Sequence, residues 1–287
     1  MSIVNFVVGE KGGVGKSQVA LALIAYYTMH AIILIICEAD RSNGDVGRAT
    51  EGKDGHTVLR PHFSEDADET DKADEILDSV LEKGVTGVVN CPAQSHRAMV
   101  QWISQGSADI ALEEGVQLVF WFVTSGEYDS MALFLESLKE FKDIPHILVR
   151  NTFFTDRLDY DYSDPERNDT VKEALATHNV PVINFPRFTP KKDLDHIKAH
   201  SLTFLEALEP KGGLTSTRRS RVKRALHRFF SEIETLQILK SNDTSKPANS
   251  DTREQDTGSN SPKKSTQRKK RSRAKTSVGD NSQDGDI

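Results

Sequence analysis

The stretch VVGEKGGVGKSQVAL, residues 7–21, decides the fold class of this chain. It begins as an apolar strand, passes through four glycines and two lysines, and continues as a helix. Glycine allows the backbone to come close to an anion, and the free N–H groups at the start of a helix point towards anionic oxygens. A strand, a glycine-rich turn and a helix in this order therefore predict a phosphate-binding loop, called the P-loop below.

The residues of the P-loop have expected roles in binding ATP and Mg²⁺. The Lys16 side chain is expected to reach the β- and γ-phosphates, and the Ser17 hydroxyl is expected to ligate Mg²⁺. The residues that we assign to nucleotide binding in this loop are Gly12, Gly13, Val14, Gly15, Lys16, Ser17 and Gln18.

Apolar runs alternate with helical stretches along most of the chain. Five runs predict buried parallel strands and a sixth fits the same pattern, at residues 3–8, 31–37, 85–89, 117–123, 146–149 and 180–185. Helices are predicted at residues 16–29, 75–82, 96–114, 130–141, 164–178 and 194–208. The strands show little period-two alternation, so the sequence predicts an α/β fold whose doubly wound, mostly parallel sheet is flanked by helices. Residues 50–72 are polar, and we expect a long loop there that borders the ligand site or is mobile.

Charge divides the chain into an acidic body and a basic end. Residues 1–210 hold 19 Lys and Arg against 34 Asp and Glu, whereas residues 211–287 hold 18 against 9. Residues 241–287 contain four hydrophobic residues, which are too few to offset the entropy cost of folding. We therefore predict a P-loop ATPase domain at residues 1–210, a basic amphipathic helix at 211–240 and a disordered basic tail at 241–287.

The P-loop departs from the ordinary spacing, because Glu10 stands where that spacing needs glycine. The run KGGVGKS, residues 11–17, resembles the deviant Walker A motif of the ParA/MinD group of ATPases. The resemblance implies a homodimer that encloses two ATP molecules, in which Lys16 serves its own nucleotide and Lys11 contacts the phosphates of the other. The alternative is that Lys11 is an ordinary solvent-exposed loop lysine.

The end of the second strand resembles another motif of this family. The run EAD, residues 38–40, is similar to its D-x-D segment, with Glu38 in place of the first aspartate. The resemblance implies that Asp40 orients the water that attacks the γ-phosphate. It thus gives three catalytic residues, Lys11, Lys16 and Asp40.

The third strand ends in an amide where the family has the Walker B aspartate. The run is VVNCP, residues 88–92, and Asn90 occupies that place. The resemblance implies that Ser17, Asp40 and Asn90 support the metal. Because an amide lacks the charge of a carboxylate, we expect Mg-ATP to bind but to be hydrolysed slowly. We also expect Asn90→Asp to raise the hydrolysis rate about tenfold.

Two later segments resemble the part of the family's site that holds the base. Asn151 follows the fifth strand, and the run NFPRF, residues 184–188, follows the sixth. The resemblance implies that Asn151 reads adenine and that Pro186 flanks it. The alternative for Asn151 is a structural cap at the end of the strand.

The basic end begins with a helix predicted at residues 217–240. Its apolar stripe consists of Val222, Leu226, Phe229, Phe230 and Ile233, and arginines and lysines crowd its first half. Three interpretations stay open: the stripe packs on the sheet, the helix lies on a membrane, or its arginines bind DNA phosphates. Residues 263–275 hold 8 basic residues without an aromatic, which indicates non-specific, salt-sensitive DNA binding if they bind nucleic acid at all. A solubilising tail is the alternative.

These patterns together predict a cytoplasmic ATPase switch that dimerises on binding ATP. Cys37 and Cys91 lie in apolar runs, which indicates reduced cysteines, and no secretion signal is seen at the N-terminus. The expected role is plasmid or cargo partition, mobilisation or positioning, with non-specific DNA and an activating protein as partners. One alternative is a weakly hydrolysing nucleotide-binding scaffold in a DNA-transfer complex, and another is a membrane-surface spatial regulator.

Overall fold

The structure is a computed structural model that describes residues 2–155 and 169–236. The described residues form one sheet of seven strands: β1 Ser2–Val8, β2 Leu34–Glu38, β3 Thr57–Leu59, β4 Thr86–Asn90, β5 Val116–Thr124, β6 His146–Asn151 and β7 Val182–Phe185. The strand order is β3-β2-β4-β1-β5-β6-β7, and every neighbouring pair is parallel. The predicted α/β class and its parallel sheet are confirmed.

Helices cover both faces of this sheet. In the described ranges they are α1 Lys16–Met29, α2 Asp45–Thr50, α3 Glu75–Lys83, α4 His96–Trp102, α5 Ala108–Glu113, α6 Tyr128–Glu140, α7 Asp169–Thr177, α8 Lys192–Ala199, α9 Phe204–Leu208 and α10 Ser216–Thr235. Successive residues of the central strand β1 point to opposite faces, so Val7 joins the core under α1 and α10 while Phe6 joins the core under α3, α4 and α6. The sheet is therefore buried on both sides, as the continuous apolar runs predict.

The side chain of Asn5 places a buried amide at the centre of the sheet. Asn5 on β1 is fully buried, and its Nδ2 donates to the hydroxyl of Tyr27 at 3.2 Å and to the carbonyl of Gly87 at 3.1 Å. Its Oδ1 accepts the indole N–H of Trp121 at 2.9 Å. Since a buried polar group costs free energy unless it is bonded, these contacts make Asn5 compatible with an otherwise apolar core.

The polar segment at residues 50–72 is more ordered than the sequence predicts. It contains β3, whose Thr57, Val58 and Leu59 pair with Ile35, Ile36 and Cys37 of β2. It also contains the 3₁₀ helix Ala67–Ala73. Prediction of one long loop here was therefore wrong, because a half-buried edge strand of three residues is too short to show a periodic pattern.

Two predicted helices are each interrupted by a residue with positive φ. The helix predicted at 96–114 breaks at the π-turn Ile103–Ser107, where Gly106 has φ 102°. The helix predicted at 194–208 breaks after α8, where Ser201 has φ 47°. The next helix, α9, starts with a capping box in which Thr203 and Glu206 exchange side-chain-to-backbone bonds. Both single-helix predictions were wrong, and the T-x-x-E pattern of the second was visible in the sequence.

The apolar stripe of α10 packs on the sheet. The five residues of this stripe are all buried in the core that also contains α1. The Phe229 ring stands edge-on to that of Phe185 on β7, with centroids 5.0 Å apart, and Phe230 meets Tyr26 on α1 in the same way at 5.5 Å. Of the three interpretations, packing is therefore what the structure shows for the stripe.

Parts of three sequence predictions lie outside the described residues. These are residues 164–168 of one predicted helix, 237–240 of another, and the tail at 241–287. Within the described ranges, no helix is long and apolar enough to cross a membrane.

Candidate nucleotide-binding site

The P-loop connects β1 to α1 at the carboxyl edge of the sheet. Gly15 is the N-cap of α1 and has φ 106°, and a Cβ added to it would lie 2.4 Å from Nδ2 of Asn151. A Cβ on Gly9 would lie 2.7 Å from the carbonyl oxygen of Val123. In contrast, a Cβ on Gly12 or Gly13 would meet no described atom within 4 Å. Only glycine therefore fits at positions 9 and 15, where the loop packs closely on its own chain. The loop is open at Gly12 and Gly13, as a phosphate-binding loop must be.

Lys16 is buried at the start of α1 with its ammonium group turned into the loop. Its Nζ donates to the carbonyl of Gly9 at 2.8 Å and, at 3.5 Å, to that of Lys11. Burial lowers the pKa of the Lys16 ammonium, and nearby acidic groups oppose that effect. Phosphate oxygens make stronger, charge-assisted bonds to ammonium than carbonyls do, so this side chain fits the expected role.

Asn151 joins the P-loop to the end of β6. Its Nδ2 donates to the carbonyl of Val14 at 2.7 Å, and its Oδ1 accepts the N–H of Phe153 at 3.1 Å. This second bond caps a short 3₁₀ turn, which is the geometry of the structural alternative. A role in reading adenine stays a prediction. Pro186 lies after β7 and lines a cavity of about 590 Å³ together with Thr152, Asn184, Arg228, Ser231, Glu232 and Thr235.

Asn90 meets two other site residues at the end of β4. Its Nδ2 donates to Oε1 of Glu38 at 2.7 Å and, at 3.4 Å, to Oγ of Ser17. The Asn90 Oδ1 atom is buried and has no hydrogen-bond partner among the described residues. A buried amide oxygen without a donor, on a residue whose amide nitrogen contacts the Ser17 hydroxyl, is what a hydrated Mg²⁺ would satisfy. The residues present therefore fit the metal.

Glu38 contacts three other residues of this cluster, although the sequence indicates only that it replaces the first aspartate of the D-x-D segment. Besides Asn90, it accepts the backbone N–H groups of Asp40 at 3.2 Å and Gly47 at 2.9 Å. Burial raises the pKa of the Glu38 carboxyl, and these hydrogen bonds oppose that rise. Its carboxylate is therefore committed to holding the loop after β2 in place.

Asp40 follows β2 and is held by its own loop. Its Oδ1 accepts both the N–H and the hydroxyl of Ser42, at 3.1 Å and 2.6 Å. The structure thus brings Asp40, Glu38, Asn90 and Ser17 to one edge of the sheet, at the ends of neighbouring strands and the start of α1.

The other P-loop lysine has a partner that sequence reasoning missed. Lys11 forms an ion pair with Glu127, the residue that precedes α6, and both side chains are partly exposed. The Glu127 carboxylate also accepts the hydroxyl of Ser125 at 3.2 Å. Glu10, in the position that ordinary P-loops give to glycine, accepts the N–H of His96 at the start of α4 at 3.3 Å. Both contacts join the P-loop to later segments of its own chain.

The comparisons with known proteins concern mainly the fold. No protein-family model matches the chain. The septum site-determining protein MinD of Pyrococcus horikoshii, solved with Mg-ADP, superposes with a TM-score of 0.51 over 84% of this chain and 99% of that chain, at 16% identity. The chain has the MinD fold. The cell division ATPase MinD of Pyrococcus furiosus gives a TM-score of 0.49 at 18% identity, over 82% of this chain and 99% of that chain.

One relative is similar in sequence. Protein MobD of Acidithiobacillus ferrooxidans is 27% identical over 176 residues, which span 60% of this chain and 73% of MobD. The superposition on MinD, rather than this match, confirms at the level of the fold the ParA/MinD resemblance that the P-loop indicates.

Proposed function

We propose that this chain is an ATPase switch that binds Mg-ATP and dimerises around the nucleotide. The observation that carries the proposal is the buried Lys16 ammonium, held 2.8 Å from the Gly9 carbonyl inside an open glycine loop at the start of a helix. A MinD structure of the same fold contains Mg-ADP, which supports a magnesium nucleotide as the ligand. Plasmid or cargo partition, mobilisation and positioning are the cellular roles that fit such a switch.

Each site residue has a task in the proposed reaction. Lys16 would exchange its carbonyl partners for phosphate oxygens, and Lys11 would serve the second nucleotide of a dimer. Asp40 would orient the attacking water with Oδ2, since Ser42 anchors the carboxylate through Oδ1. Mg²⁺, when bound near Ser17 and Asn90, would neutralise charge that develops on the phosphoryl group.

A second candidate function is a scaffold that binds nucleotide and hydrolyses it very slowly. One contact favours it. Asn90, at the end of β4, donates its amide N–H to Glu38, so this position has an uncharged side chain where a carboxylate would help to hold Mg²⁺. Single-turnover hydrolysis of bound ATP separates the two candidates. Release of phosphate within minutes on adding an excess of protein supports the switch, and persistence of ATP over hours supports the scaffold.

Partners beyond the second copy are part of the same proposal. Non-specific DNA would bind through phosphate contacts, for which α10 offers the exposed Lys223, Arg224 and Arg228. Two other basic residues of this helix, Arg218 and Arg221, are bonded to the buried Asp193. Because the apolar stripe of α10 lies in the core, this helix does not present that stripe to a membrane.

Calorimetry with Lys16→Ala tests the nucleotide site directly. Loss of the ammonium leaves the phosphates without their cation, so we expect no measurable heat of Mg-ATP binding. Lys139→Ala is the matched control, because it removes one positive charge from an exposed position on α6. Equal affinity of Lys16→Ala and the control would overturn the proposed site.

A further inference from the structure

The carboxamide of Gln18, in the first turn of α1, is not explained by the candidate nucleotide site. Its Oε1 atom is buried and accepts no hydrogen bond from the described residues. Oδ1 of Asn90 is in the same condition, but the candidate metal accounts for it. Folded proteins leave few buried polar atoms without a partner, because each one costs free energy. The Gln18 oxygen therefore requires a hydrogen-bond donor.

Neither polar group of Gln18 that the structure places is suited to binding phosphate. Its backbone N–H already donates to the carbonyl of Gly15 at 3.1 Å, whereas phosphate binds to the free N–H groups of a helix N-terminus. Its Oε1 atom is an acceptor, and phosphate oxygens are acceptors as well. The donor that satisfies Oε1 must therefore come from elsewhere.

A small cavity lies beside the Gln18 side chain, between α1, α2 and α8. Its volume is about 10 Å³, close to the smallest space that holds one water molecule. Its polar lining consists of Gln18, Asp45, Lys198 and Ser201, and its apolar lining consists of Leu21, Ala49, Ile197 and Leu202. Cavities that stay dry are apolar, so this mixed lining favours a water.

Asp45 brings a carboxylate to this cavity at the start of α2. Its side chain is only 8% exposed, and its Oδ2 lies 2.7 Å from Nζ of Lys198, while its Oδ1 contacts Arg48. A carboxylate has about four acceptor sites, so Asp45 can accept a further hydrogen bond. The Lys198 ammonium already balances this carboxylate and repels a metal ion, which argues against a cation in the cavity.

Ser201 brings a hydroxyl to the cavity just after α8. Its φ is 47°, and its carbonyl accepts Nζ of Lys53 at 3.0 Å, so its backbone is held in place. A serine hydroxyl both donates and accepts hydrogen bonds. The lining thus offers an oxygen that needs a donor, a carboxylate that can accept one, and a hydroxyl that can donate. A water molecule matches this set.

We propose that the cavity binds one water molecule, which donates to Oε1 of Gln18 and to the Asp45 carboxylate and accepts from the Ser201 hydroxyl. About three hydrogen bonds are typical of a buried water. The water joins the first turn of α1 to the start of α2 and to the end of α8. Gln18 then serves this joint between helices and does not bind the nucleotide, contrary to the expectation from the sequence.

The consequence for the nucleotide site rests on the proposed function. Lys16 and Ser17 directly precede Gln18, and α2 follows the loop that contains Asp40. The water therefore lies between the helices that follow the two loops of the proposed site. It holds these helices together from the side of α1 that the nucleotide does not occupy.

A high-resolution crystal structure of the full chain, without nucleotide, tests for the water directly. We expect one density peak within hydrogen-bond distance of Gln18 Oε1 and of Asp45 or Ser201. Gln18→Met keeps an unbranched side chain but has only a weak acceptor, so its crystal structure should lose the peak. Gln105→Met, at an exposed position, is the matched control and should retain it.

Thermal unfolding without nucleotide gives a second measurement. We expect Gln18→Met to melt about 2–4 °C below wild type, since one net hydrogen bond is lost, and Gln105→Met to melt with wild type. If no water were bound, Gln18→Met would melt above wild type, because it removes an unsatisfied acceptor. In calorimetry, Gln18→Met should bind Mg-ATP with an affinity within about twofold of wild type.

Four results would overturn the proposal. The water would be excluded by the absence of density in wild type, by density that persists in Gln18→Met, or by a higher melting temperature of this variant. An affinity for Mg-ATP about tenfold lower in Gln18→Met would show that Gln18 binds the nucleotide instead. Because the crystals and the melting curves contain no nucleotide, their failure leaves the proposed ATPase untouched. Absence of Mg-ATP binding to wild type would remove the ATPase and leave the water site.

Discussion

The ammonium group of Lys11 is held by the carboxylate of Glu127 from the same chain. If Lys11 must reach the phosphates of a second nucleotide, this ion pair competes with dimer formation. We expect Glu127→Gln to strengthen ATP-dependent dimers by up to about fivefold for each of the two ion pairs that a dimer replaces, since a partly exposed pair contributes about 0–1 kcal/mol. Lys11→Ala should bind ATP and stay monomeric. Sedimentation velocity measures both, and Glu136→Gln, at an exposed position on α6, is the control. Unchanged dimerisation of both variants would remove Lys11 from the interface.

The contact between Asn90 and Glu38 changes what Asn90→Asp should do. An aspartate there would face the Glu38 carboxylate at hydrogen-bond distance, and two carboxylates so close cannot both ionise without a cation. We now expect the variant to lose about 2 kcal/mol of stability without Mg²⁺. Added Mg²⁺ should raise its melting temperature more than that of wild type.

The exchange variant Glu38→Gln/Asn90→Asp serves as the control for this effect. It restores one carboxylate and one amide, and we expect it to recover part of the stability that Asn90→Asp loses without metal. The account would be contradicted if Asn90→Asp hydrolysed ATP tenfold faster while Mg²⁺ had no effect on its stability. That result would favour the interpretation drawn from the sequence.

His146 should make stability depend on pH between about 4 and 6.5. It is buried, its Nδ1 lies 2.7 Å from the carbonyl of Ile144, and its Nε2 lies 3.0 Å from the Ser137 hydroxyl. Burial lowers the pKa of His146 to about 4, from 6.5. As the pH falls, the unfolded chain therefore binds the proton first. His146 thus contributes about 3 kcal/mol to the free energy of unfolding, and this contribution is complete above pH 6.5 and lost as the pH falls to 4.

Urea unfolding as a function of pH checks the histidine prediction. His146→Gln should flatten the acid limb of the stability curve between pH 6.5 and 4, whereas His200→Gln, at an exposed position, should follow wild type. Parallel curves for wild type and His146→Gln would mean that the histidine does not titrate in this way.

Asp193 should be a structural anchor for α10. It is buried, its Oδ1 accepts Nε of Arg218 at 2.6 Å, and its Oδ2 accepts Nε of Arg221 at 3.0 Å. We expect Asp193→Asn to cost about 2–3 kcal/mol, less than a fully buried pair because the arginines are partly exposed. Asp195→Asn, on the same helix and exposed, should change the melting temperature little. Similar melting temperatures for the two variants would show that the anchor is dispensable.

Local patterns allowed much of the fold to be predicted from the sequence. The start of α1 at Lys16 is predicted correctly because the glycine turn and the helix start are adjacent in the chain. The edge strand β3 was missed because its order depends on pairing with β2 rather than on its own residues. The break before α9 was missed although Thr203 and Glu206 signal a helix start.

Contacts across the site depend on how the strands are aligned. The sequence places Glu38 and Asn90 at the ends of two strands, but their hydrogen bond follows from the register in which these two residues are paired neighbours. Lys11 and Glu127 are 116 residues apart, and no pattern in either segment indicates that they meet. The site's residues were therefore easier to predict than the bonds among them.

The buried amide of Asn5 protects the alignment on which the site depends. Strand β1 pairs Val7 with Asn90, so the P-loop and the Asn90 amide keep their relative position along the strands only in this register. A slip of one residue would turn Asn5 to the opposite face of the sheet. The Asn5 amide and the Trp121 indole N–H would then both lack hydrogen-bond partners in an apolar layer. A misaligned sheet is thus penalised at its centre before any nucleotide arrives, and the fidelity of the site is secured during folding rather than by its ligand.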